Sequence, residues 1–218
     1  MRNLPIQVVS RVEKHHPMNL LYINGLNPEG GVKQSELQVL ASLEEQGIVA
    51  EAADVNHRLD GSFEGITDRL EARVRELAEL GDVAIVGFSA GGSYAMNVFD
   101  RVRDLDNVTA TSIAGRLQVG NYRNAHPYSL YQAAHLGSSK GPHYPNFHES
   151  VCYFDSVVRP RLTEADKKRL LVIRPKFDQV VPVKTMTVPG VETEVVRAIT
   201  HQTARNKGLR LVAARLAA

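Results

Sequence analysis

The sequence predicts an α/β fold, with a mostly parallel sheet of about six strands covered by helices on both faces. Three observations carry that expectation. Short apolar runs alternate along the chain with longer segments of helical periodicity. Asp82–Phe88 (DVAIVGF) is apolar almost throughout, as a strand buried on both faces must be. Turn formers, such as Asn24-Gly25 and Gly47, punctuate the runs.

Each element follows from its residues. Residues 20–23 (LLYI) form a short strand that stops at Asn24-Gly25. Residues 35–46 place Leu37, Val39, Leu40 and Leu43 at helical spacing, and Gly47 closes that helix. Residues 48–55 are a second strand. Residues 62–80 are an amphipathic helix with Ile66, Leu70, Val74 and Leu77 on one stripe, and the charges of 69–79 form its solvated face. Asp82–Phe88 is the third strand, 89–102 the next helix and Val108–Ile113 the fourth strand. Residues 169–174 (RLLVIR) and 192–198 complete the sheet, and 202–216 is a closing helix.

One segment breaks the rhythm. Residues 116–150 lack long apolar periodicity, yet hold four of the seven tyrosines and four of the eight histidines. That concentration marks an ordered insertion or small cap on the rim of one domain spanning 1–218.

Composition excludes several function classes. With 26 Lys+Arg against 24 Asp+Glu, the net charge is +2, which argues against a dedicated nucleic-acid binder. The single cysteine, Cys152, rules out an intramolecular disulfide and a multi-cysteine metal site held by this chain alone. Its apolar neighbours Val151, Tyr153 and Phe154 predict a buried, inert thiol. No H-E-x-x-H or G-x-G-x-x-G pattern is present, so neither a metal nor a dinucleotide cofactor is expected. Without a signal peptide or a long apolar span, the expected location is the cytoplasm, with no membrane partner. His15, His16 and His57 read as solvated surface residues.

The chemistry lies at Gly87-Phe88-Ser89-Ala90-Gly91, a match to G-x-S-x-G. The pattern arises by chance in roughly one chain in ~15–20 of this size, with glycine near ~7%. Its setting gives it weight, because Ser89 follows an apolar strand and precedes a helix. A sharp strand–turn–helix joint needs small residues two before and two after the serine. It holds the hydroxyl at the carboxyl edge of the sheet, where the helix directs its free N–H groups.

On these residues the chain resembles the α/β-hydrolase superfamily of serine hydrolases, over roughly residues 18–218. The resemblance implies a triad in the order serine, acid, histidine. Asp178 lies in the loop after the fifth strand, in Phe177-Asp178-Gln179-Val180-Val181-Pro182, and looks like the family's acid. His201 follows the sixth strand and opens the last helix. Asp155 is the rival acid, while His143 and His148 precede the acid and are weaker bases.

The backbone N–H groups of Ala90 and Leu26 are implied as oxyanion donors. The family often has His-Gly where this chain has Asn24-Gly25, a departure that Gly25 tolerates. Asn27, Phe88, Tyr122 and Tyr128 are the expected substrate contacts. The implied activity is hydrolysis of small, short-acyl carboxylic esters through an acyl-enzyme. Lactone or thioester cleavage with the same triad, or ligand binding without turnover, are the alternatives. Arg116, Arg123 and Lys140 favour a polar or anionic partner over a long lipid chain.

Overall fold

A computed structural model describes residues 18–26, 32–53, 55, 57, 61–120 and 144–217. The strands are β1 (Met18–Ile23), β2 (Ile48–Ala53), β3 (Asp82–Phe88), β4 (Val108–Ile113), β5 (Leu170–Pro175) and β6 (Glu192–Val196). All pair in parallel, in the order β2-β1-β3-β4-β5-β6. The helices are α1 (Gln34–Glu44), α2 (Phe63–Leu80), α3 (Ala90–Arg101), α4 (Pro145–Tyr153), α5 (Glu164–Lys168) and α6 (His201–Leu216).

Alternation along the strands sorts the core into two layers. Leu21, Ile23, Val83, Ile85, Val108 and Val172 face α2 and α3. Leu20, Tyr22, Ala84, Val86, Leu171 and Ile173 face the opposite layer, which holds Leu40 and Leu43 of α1 and Leu209 and Val212 of α6. Each helix presents one apolar stripe, and on α2 it is the expected one, with Ile66, Leu70, Val74 and Leu77 all buried. Its solvated face is laced by ion pairs, including Arg73–Glu51 at 2.6 Å and Arg75–Glu71 at 3.0 Å. The Ser62 side chain caps α2 by accepting from the Gly65 N–H at 3.1 Å.

The chain order fixes where a site can form. From β1 the chain moves outward to β2, then returns across β1 to β3 and proceeds the other way to β4. The loops after β1 and β3 therefore diverge onto opposite faces, and the carboxyl ends of these two strands bound a crevice. Register brings Ile23 opposite Gly87, and Phe88 opposite Ile113, so β1 ends one residue short of the level at which β3 and β4 end.

Three expectations change. His57, read as a solvated residue, is 2% exposed, with its ring 5.3 Å from that of Tyr94 and 6.5 Å from that of Phe147. Cys152 is half-buried rather than buried, because it lies on the outer side of α4, with Sγ 3.5 Å from Nε2 of His148. Burial raises its thiol pKa. Lastly, the end of the 116–150 region is regular. Residues 145–153 form α4, which continues through a π-helical turn, Phe154–Val158, into Arg159–Arg161. Phe147, Val151, Phe154 and Val158 are the buried residues that hold this segment down. The core of the expected insertion, with Tyr122, Tyr128, Arg123 and Lys140, lies outside the described residues, as do Asn27, His15 and His16.

Candidate active site

Ser89 stands between β3 and α3 with φ 55° and ψ −114°, a backbone state that residues with a Cβ rarely adopt. The surroundings hold it there. Its N–H donates to the Ile113 carbonyl at 2.9 Å, and its carbonyl accepts from the Gly92 N–H at 3.1 Å. The two flanking glycines are required by space. A Cβ on Gly87 would overlap the Gly91 carbonyl, and one on Gly91 would overlap the Ile23 carbonyl and stand 2.7 Å from that of Asn24. The joint between strand and helix is thus packed directly against the end of β1. Ser89 is 9% exposed at the rim of the crevice.

His201 is the first residue of α6, whose N-cap is Thr200. The Thr200 hydroxyl accepts from the Thr203 N–H at 3.1 Å, which starts the helix at that residue. His201 Nδ1 donates to Asp178 Oδ2 at 2.7 Å. The other carboxylate oxygen, Oδ1, accepts from the N–H groups of Val180 and Val181 at 2.7 and 2.9 Å. Asp178 is therefore both the organiser of its own turn and the partner of the imidazole. Because the carboxylate accepts at Nδ1, the proton sits there and Nε2 keeps its lone pair. That nitrogen is buried and hydrogen-bonded to no described residue.

Phe88, an expected substrate contact, packs against the histidine. It is 6% exposed, its ring lies 4.7 Å from that of His201, and the Arg205 guanidinium stands 5.7 Å away on α6. The ring supports the histidine. Arg205 is buried too, and is anchored by Glu36 at 3.2 Å, which also accepts from the Tyr22 hydroxyl at 2.7 Å. Burial, followed by the Glu36 charge, holds the Tyr22 phenol well above its ordinary pKa. This buried cluster ties α1 and β1 to the helix that carries His201.

The opposite wall is apolar. Ala90, Phe147 and Val151 pack together, with Leu26 and Tyr144 against them. Sequence reasoning missed Phe147, Val151 and Tyr144. The i, i+4 spacing from Phe147 to Val151 was the available signal, masked by the polar composition around it. A buried ladder holds α4 against α3. Asn97 Nδ2 donates to the Ser150 carbonyl at 2.9 Å, and Ser150 Oγ donates to Ser93 Oγ at 2.9 Å.

The rival acid is engaged elsewhere, and His143 lies outside the described residues. Asp155 accepts from the Val119 N–H at 2.9 Å and from Arg159 Nε at 2.8 Å. Arg116 donates to the carbonyls of Gln118 and Val119, so its guanidinium braces its own loop, and burial lowers its pKa to about 10. It offers little to the anionic-partner expectation.

No protein-family model matches this chain, and no curated protein matches it in sequence. Solved structures do match. One belongs to LipS and LipT, metagenome-derived lipolytic enzymes, at 16% identity and a TM-score of 0.64, over 92% of this chain and 91% of that one. A lipase-esterase related protein from Clostridium acetobutylicum matches at 15% identity and a TM-score of 0.58, over 93% and 94% of the two chains. RedJ, a thioesterase of the prodiginine pathway in Streptomyces coelicolor, matches at 12% identity and a TM-score of 0.55, over 92% and 86%. With its six-stranded parallel sheet and helices on both faces, the chain has the α/β-hydrolase fold.

Proposed function

We propose that this protein is a serine hydrolase that cleaves carboxylic esters of small, short-acyl substrates through an acyl-enzyme. The observation that carries the reading is the 2.7 Å bond from His201 Nδ1 to Asp178, on an imidazole whose Nε2 has no hydrogen-bond partner among the described residues and whose ring lies 4.7 Å from that of Phe88, the residue before the strained Ser89. A free serine hydroxyl is a weak nucleophile, and this arrangement supplies its base. Ser89 Oγ attacks the ester carbonyl while its proton passes to His201 Nε2. Asp178 keeps the reactive tautomer and stabilises the imidazolium. The oxyanion takes hydrogen bonds from the N–H groups of Ala90 and Leu26, each typically worth ~2.7–4 kcal/mol of barrier. His201 then protonates the departing alkoxide. Water, deprotonated by the same nitrogen, releases the acid and restores Ser89.

The acyl side of the site is the apolar wall of Phe147, Val151 and Leu26 next to Ala90. Phe147, 5% exposed, fills this wall, and the absence of a large apolar lid helix from the sequence supports a short acyl chain. The same chemistry acts on lactones and thioesters. Location in the cytoplasm and the absence of membrane or nucleic-acid partners stay proposals. Among the described residues no helix is long and apolar enough to cross a membrane.

The test is hydrolysis of p-nitrophenyl butyrate by the folded wild-type protein and by Ser89→Ala. Turnover in the first and none in the second is expected, with the palmitate ester cleaved far more slowly. Equal turnover in both would remove Ser89 from the mechanism. Tight binding of an ester without product would favour the binding-module alternative.

A further inference from the structure

Gly25 creates a problem that its neighbours solve. A Cβ on Gly25 would stand 3.1 Å from Ser89 Cβ and 3.1 Å from the Phe88 ring, a tight fit that glycine relieves where this backbone passes the nucleophile. Glycine also leaves the following peptide plane loosely determined. That plane is the one whose N–H belongs to Leu26.

The Asn24 side chain closes on the other end of the same plane. Asn24 Nδ2 donates to the Gly25 carbonyl at 3.0 Å. Across a trans peptide the C=O and N–H point in opposite directions, so holding the carbonyl aims the Leu26 N–H away from Asn24. The amide is itself held at both ends by β2's exit. Nδ2 donates to the Val55 carbonyl at 3.2 Å, and Oδ1 accepts from the Val55 N–H at 3.0 Å. The Val55 N–H requires an oxygen there, which fixes the amide orientation. Asn24 is 1% exposed.

His57 secures the preceding carbonyl. Its Nε2 donates to the Asn24 C=O at 3.0 Å, a bond that demands the Nε2–H tautomer. The His57 ring lies against Tyr94 of α3 and Phe147 of α4, so it joins the loop after β1 to the nucleophile helix and the apolar wall. Two successive carbonyls, of Asn24 and Gly25, are thus gripped from behind.

We infer that Asn24 and His57 are positioning residues that hold the Gly25–Leu26 peptide in register with Ser89, so that the Leu26 N–H meets a developing oxyanion. The inference rests on the serine-hydrolase reading above. It also gives the Asn24-Gly25 pair a task of its own.

The test uses a fluorophosphonate, which requires no knowledge of the natural acyl group. Ser89 Oγ bonds to phosphorus, the P–F bond breaks, fluoride leaves and the Oγ proton passes to His201. Charge gathers on the phosphoryl oxygen where an ester oxyanion would lie. Labelling rate and p-nitrophenyl butyrate kinetics are measured on wild type, Asn24→Leu, His57→Leu and His57→Gln, each checked for folding by its melting curve. Misplacement of a catalytic group costs up to ~10²-fold, so labelling and kcat should fall by ~10–100-fold in both Leu variants. KM should stay within about threefold, because the interaction is made in the transition state. His57→Gln can still donate to the same carbonyl and should stay near wild type.

A folded His57→Leu with wild-type labelling overturns the inference, and so does a His57→Gln that loses as much as His57→Leu. Should Asn24→Leu fail to fold, the His57 pair decides. A wild type labelled at Ser89 but inert on butyrate overturns the ester reading alone, and the labelling rates still judge the clamp. A wild type that is not labelled overturns both.

Discussion

The two arms around Ser89 are built differently. The acid–base arm is local, with Asp178 and His201 only 23 residues apart and separated by one edge strand. Each is fixed by short-range signals, a turn whose N–H groups bind Asp178 and a threonine cap that starts α6 at His201. The oxyanion arm is assembled from afar. Asn24, Val55, His57, Tyr94 and Phe147 arrive from four separate stretches of chain and meet only when the sheet is complete. The contrast separates chemistry from alignment. In the proposed mechanism the first arm supplies the proton transfer, and the second sets where charge can accumulate.

Substitutions can separate the two. Asp178→Asn should have the largest effect, with kcat reduced by ~10⁴-fold through loss of the reactive tautomer. Circular dichroism and turnover of p-nitrophenyl butyrate would check it. A minor loss would return Asp155 to consideration. Phe147→Ala acts on the other arm and should open the apolar wall. The ratio of octanoate to butyrate ester turnover should rise by at least about tenfold, since accommodating even one further methylene in an apolar pocket is worth ~1–3 kcal/mol. An unchanged ratio would mean that the acyl chain lies elsewhere. Arg73→Ala serves as the remote comparison. Its bonds to Glu51 and Glu76 are exposed, so thermal denaturation should report less than about 1 kcal/mol, with turnover unaffected.

The same contrast explains what was legible in the sequence. β3 and β4 are read at their observed bounds, β3 from its nearly continuous apolar run and β4 from its β-branched Val, Thr and Ile residues, which suit a strand. The acid–base arm was equally readable, since its residues sit beside the elements that place them. β2 is expected to reach residue 55 but ends at Ala53, where the chain turns to bring Val55 against Asn24. The burial of His57 was not readable at all. Its sequence neighbours Asn56, Arg58 and Asp60 are polar, and its partners lie 33 or more residues away. Helix α4 was hidden by Pro145, Asn146 and His148, whose composition resembles a loop although Phe147 and Val151 share one buried stripe.

His201 opens the last helix of the chain, while Ser89 is set by β3 and Asn24 by β1. Synthesis runs from the amino end, while a domain generally folds as a unit. Asn24 and Ser89 therefore leave the ribosome well before His201, yet none of them is in place until the domain folds. Under the proposed mechanism Ser89 has no proton acceptor until α6 docks on β4 and β5. Acquisition of activity would then report the docking of the helix that carries His201, an event that the earlier strands alone cannot supply.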